Sequence, residues 1–129
     1  MPKVLITDEL SPRAVEIFRE IQSKVQLGVA LRSLGEVMAA GSAGGETLLQ
    51  ARAHLLQSVF IFEEIGNDVE LARSCRVYAV LLRASPDFQT DAATHEEADQ
   101  FAQRAEAIFA KLKSSAFGLD AEGFFRQER

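Results

Sequence analysis

The sequence predicts an all-α protein in which antiparallel helix pairs stack as a short α-solenoid. Three observations carry that prediction. Apolar residues recur at spacings of three and four along most of the chain, the signature of one helix face. Proline stands only at positions 2, 12 and 86, which leaves long stretches free to be helical. A corner-like motif occurs three times: IFREIQSKVQL from Ile17, IFEEIGNDVEL from Ile61 and IFAKLKSSAF from Ile108. Its offsets of 44 and 47 residues are those of a helical repeat, in which neither helix of a pair can bury its wide apolar surface alone. A simple helical bundle is the competing architecture.

The elements follow in order. Residues 1–10 form a separate leader, in which Lys3 to Asp8 suits a short buried strand; 11–129 is the helical domain. Ser11-Pro12 starts the first helix, with Ser as cap and Pro at the first helical position. Ala14, Ile17, Phe18 and Ile21 share its face. Gln22-Ser23-Lys24 is either a break or a continuous helical turn; read as a corner, it places a second helix over about Val25 to Ala40. Gly41 to Gly45 is a loop, and a third helix runs from Glu46 to Ile65. Gly66-Asn67 breaks the chain, and Asp68 caps a fourth helix reaching Ala84. Ser85 to Phe88 breaks it again. Thr94 with Glu97 has capping-box spacing and opens a fifth helix to about Leu112. A Lys-Ser-Ser turn and a short terminal fragment follow, for five helices plus that fragment.

Bulk properties narrow the function. No apolar run approaches the roughly 18 residues of a membrane span, and the N-terminus lacks a secretory pattern, so a cytoplasmic protein is expected. The single cysteine, Cys75, fits a reducing compartment. A net charge of −5 argues against a nucleic-acid partner.

LRSLGEVMAAG, followed by ARAHLLQSVFIFEEIGNDVELA, resembles the tetratricopeptide repeat family. Leu34-Gly35 matches the Leu-Gly of the family's first helix; Ala51, Leu55 and the Phe62 to Gly66 corner match its second helix and exit turn. The likeness covers about residues 12 to 117. It departs from the family in its longer period and in lacking the family's Trp and post-helix Pro. It implies a solenoid whose first helices line a groove for peptides or partner proteins. Separately, MPKVLITDELSPRAVEIFRE resembles the start of D-3-phosphoglycerate dehydrogenases. Nothing later continues that match, and the Gly41, Gly44 and Gly45 spacing is not a dinucleotide fingerprint.

No residue pattern points to catalysis, a metal or a cofactor. His95 with Glu96 and Glu97 reads as an acidic first helical turn. His54 has no sequence partner, and Cys75 falls on an apolar face. The expected activity is non-catalytic binding of a protein or acidic peptide, as an adaptor or the sensor part of a signalling system. The binding candidates are Arg73, Arg76 and Arg83 on one strip of the fourth helix, and Arg32, which the 44-residue offset aligns with Arg76. The alternative is self-association as a homo-oligomer through exposed ends, with Phe117, Phe124 and Phe125 as candidates. A fragment related to a dehydrogenase is the remaining alternative.

Overall fold

The computed structural model describes residues 11–41, 45–85 and 90–128, with side chains at 11–41, 47–85 and 90–115. Four helices make up nearly all of it: α1 (Pro12–Ala40), α2 (Gly45–Ile65), α3 (Asp68–Ala84) and α4 (Ala92–Glu128). No strand occurs among the described residues, and the predicted leader strand lies outside them.

Each boundary has a local cause. Ser11 Oγ accepts from the Ala14 N–H at 3.3 Å, with Pro12 in the first turn. Between α2 and α3, Gly66 takes φ 72°. The Gly66 N–H then reaches the Glu63 carbonyl at 3.3 Å, and the Asn67 N–H the Phe62 carbonyl at 3.0 Å. These two bonds satisfy the last carbonyls of α2. Asn67, rather than Asp68, caps α3 by accepting from the Glu70 N–H at 3.2 Å. At α4 the cap is Asp91, whose carboxylate accepts from the Ala93 N–H at 3.0 Å and the Thr94 hydroxyl at 2.9 Å. Thr94 lies inside the helix instead, and Glu97 turns away to other partners.

Five predicted helices and the terminal fragment become four helices because two of the three motif copies do not turn. Gln22-Ser23-Lys24 continues α1, and Lys113-Ser114-Ser115 continues α4. The cause is local. The working corner depends on a left-handed residue, and Gly66 alone adopts one among the described residues. The other two copies carry no glycine at the corner, so the right-handed helix runs on.

α1 packs antiparallel on α2, and α3 on α4, while α3 lies against both α1 and α2. α1 and α4 make no comparable contact among the described residues, so the helices do not close into a ring as a four-helix bundle does. Two buried clusters hold the stack. One joins Ala51, Leu55, Tyr78, Leu81, Leu82 and Ala98; the other joins Val59, Phe62, Leu71, Ala72, Cys75 and Ala105. The α1–α2 contact is close because Gly28 and Gly35 line it. A Cβ on Gly28 would stand 2.5 Å from the Phe62 ring, and one on Gly35 2.7 Å from Leu55 Cγ. The 44- and 47-residue offsets also reappear in space. Arg32 lies over Phe62 at 5.9 Å, and its equivalent Arg76 lies over Phe109, the equivalent of Phe62, at 4.4 Å.

Candidate functional site

A trough runs between α1 and α3, the first helices of the two pairs. Glu36, Ala39 and Ala40 form one wall; Arg76, Val77, Val80, Leu81 and Ala84 form the other, with Leu55 of α2 at the base. The lining is apolar apart from one charge of each sign, Glu36 and Arg76. Val80 is 59% exposed, so the trough is open to a ligand rather than internal. Its shape follows from sequence: small residues near the end of α1 keep that wall low, and α3 leaves Val80 and Ala84 exposed beside the half-buried Val77.

Of the four arginines read from sequence, Arg76 lines this trough. Its guanidinium also rests on Phe109. The other three meet carboxylates of the chain itself. Arg32 pairs with Glu70 at 2.8 Å, with both side chains largely buried. Arg73 pairs with the same carboxylate at 3.0 Å. Arg83 pairs with Asp99 at 3.1 Å. Arg32 and Arg76 occupy equivalent places in the two pairs, yet Arg32 faces into the α1–α3 contact. Phe117, Phe124 and Phe125 fall on the last turns of α4, where the backbone is helical and the side chains lie outside the described residues.

Two polar networks went unread in the sequence. In the first, Ser58 Oγ donates to the Gly28 carbonyl at 2.7 Å and also meets Ser74 Oγ at 2.7 Å. A carbonyl only accepts, so the Ser58 proton is committed to Gly28, and Ser74 must be the donor between the two hydroxyls. Arg32 Nη1 in turn donates to Ser74 at 3.2 Å. The chain Arg32–Ser74–Ser58–Gly28 therefore runs one way through α1, α3 and α2. In the second, Arg52 Nε donates to the Tyr78 hydroxyl at 2.8 Å, and that hydroxyl donates to Glu97 at 2.7 Å. Arg52 also pairs with Glu97 at 2.5 Å. Burial, and then the Glu97 carboxylate, push the Tyr78 phenol well above its ordinary range. Arg52 interrupting the apolar side of α2 was the available sequence signal.

The remaining reactive side chains have structural surroundings. Cys75 is fully buried between α3 and α4, and burial raises its thiol pKa. His54 lies half-buried on α2, its Nδ1 enclosed and without a hydrogen-bond partner. His95 is exposed on the first turn of α4. No group of three metal-ligating side chains occurs among the described residues. No described helix is long and apolar enough to cross a membrane.

Comparison with protein-family models, with curated proteins and with solved structures finds no match.

Proposed function

We propose that the chain is a non-catalytic, tetratricopeptide-like binding module, and that the trough between α1 and α3 takes a short peptide segment of a protein partner. The trough itself carries this reading. It lies between the two first helices, where the family resemblance expects a ligand, and it combines an apolar bed with opposed charges at Glu36 and Arg76. Small apolar side chains of a peptide fit the bed, and a peptide carboxylate fits Arg76. The reactive groups of the interior support a binding role as well. Ser58, Ser74 and Tyr78 spend their hydroxyls on the fold, and Cys75 is shielded from solvent.

The test is a displayed random-peptide library panned against the whole chain, followed by titration of the selected peptides. Enriched peptides are expected to carry an acidic residue beside small apolar ones. Arg76→Glu should weaken them about tenfold, roughly 1.4 kcal/mol, and Val80→Asp should abolish binding. Peptides indifferent to both substitutions would remove the trough from the reading.

A further inference from the structure

The 44-residue repeat makes α1 carry both halves of an interface that is already built once inside the molecule. On α3, Leu71, Tyr78 and Leu81 are 6%, 0% and 7% exposed, held in the two clusters that α2 shares. Their equivalents on α1 are Leu27, Leu34 and Val37, and these are 51%, 45% and 68% exposed. Among the described residues, no helix lies on this seat. The occupant of the α3 seat is α2, whose IFEEI stretch puts Phe62 in the second cluster at 0% exposure and packs Ile65 against it, with Ile61 partly buried beside them. The equivalents of these three are Ile17, Phe18 and Ile21, the IFREI copy of IFEEI. They too are largely exposed, at 45%, 62% and 44%.

Within one chain the two halves cannot meet. In the working copy, the Gly66 corner folds α2 back over α3. In the other copy, the helix passes straight through Gln22–Lys24, so the Phe18 stripe is carried away from the seat to which it corresponds. The stripe continues the line of Val25 and Gly28, on a different face of α1 from Leu27 and Leu34.

We infer that a second copy of this chain supplies the missing helix: the Ile17–Phe18–Ile21 stripe of one copy lies on the Leu27–Leu34–Val37 seat of the next. The contact joins unlike patches and is therefore heterologous, so each copy has one stripe to give and one seat to fill. The other end of the stack does not offer a rival occupant. The third copy of the stripe, Ile108, Phe109 and Leu112 on α4, is partly buried, and Ile108 and Phe109 already pack against the cluster that holds Cys75. This association leaves the α1–α3 trough free and does not depend on what binds there.

Sedimentation velocity on the full chain tests it, with Phe18→Asp and Leu34→Asp as variants. Both positions are exposed, and unchanged circular dichroism establishes that each variant folds. The wild type is expected to grow beyond a monomer with concentration, and each variant alone to stay monomeric. Mixed, the two variants should form a 1:1 dimer and nothing larger, because Leu34→Asp keeps its stripe and Phe18→Asp keeps its seat. A wild type monomeric at every concentration, a variant that associates like the wild type, or a mixture that stays monomeric would each overturn the inference.

Discussion

The Arg76 guanidinium lies over the Phe109 ring, 4.4 Å from its centroid. Its equivalent, Arg32, lies over Phe62 but is walled in by α3, where it also holds Glu70. One pairing, used at two depths, separates what a surface cation–π contact contributes from what a buried, charge-paired one does. Urea unfolding of the two alanine variants measures the difference. Arg76→Ala should cost about 1 kcal/mol or less. Arg32→Ala should cost about 2 kcal/mol or more, because it leaves the largely buried Glu70 carboxylate with only the exposed Arg73 and strands a Ser74 acceptor. Equal losses would mean that the buried pair contributes no more than the exposed one.

Gly35→Ala pits helix propensity against space. An alanine in mid-helix gains up to about 1 kcal/mol over glycine. Here its Cβ would stand 2.7 Å from Leu55 Cγ and 3.1 Å from the Ala51 carbonyl, and both residues are fully buried. Overpacking of that kind costs about 1–3 kcal/mol. Crowding therefore wins, and the variant should melt several degrees lower; a higher melting temperature would show that α1 and α2 separate at little cost.

The one-way hydroxyl chain predicts strong coupling between Ser58 and Ser74. Either alanine variant leaves a buried partner unsatisfied, at about 1–3 kcal/mol. The double variant should cost clearly less than the sum of the two, because the second substitution removes a group already orphaned by the first. Additive losses in the double-mutant cycle would mean that the two hydroxyls do not depend on each other.

Asp91 gives the fold an acid-sensitive end. The Thr94 hydroxyl, and then the Ala93 N–H, hold its carboxyl below the ordinary carboxylate range. A group depressed on folding stabilises the folded state above its unfolded pKa, and that contribution is lost as pH falls through the folded value. Asp91→Asn keeps an oxygen acceptor but cannot titrate. Its stability should fall less steeply than the wild type between about pH 5 and pH 2, measured by thermal melts across that range. Parallel curves would remove Asp91 from the acid response.

Gly66 explains why part of this fold could be read from sequence and part could not. IFEEIGNDVEL announces its turn through the Gly-Asn pair, and the structure turns there. The copies at Ile17 and Ile108 match it in apolar spacing, which reports which side chains are buried together and says nothing of where the backbone reverses. The spacing thus identified equivalent side chains in the two pairs, while the number of helices depended on single residues. The arginine strip has the same limit. Arg73, Arg76 and Arg83 align on α3 by helical period, but the carboxylates that meet two of them depend on geometry: Glu70 turns back on its own helix and Asp99 arrives from α4. Glu97, 45 residues from Arg52, could be matched with it only after the helices were stacked.

The unbroken course of α1 has a mechanical consequence. Its first nine residues, about 14 Å at 1.5 Å per residue, extend past the corner at Gly66, which Ile21 adjoins, as a stiff rod rather than a tether. A neighbour gripped at Phe18 would be held at a set distance and angle from the trough between α1 and α3. Successive troughs would then be spaced like marks on a ruler, and a ligand long enough to reach two of them would sense that spacing.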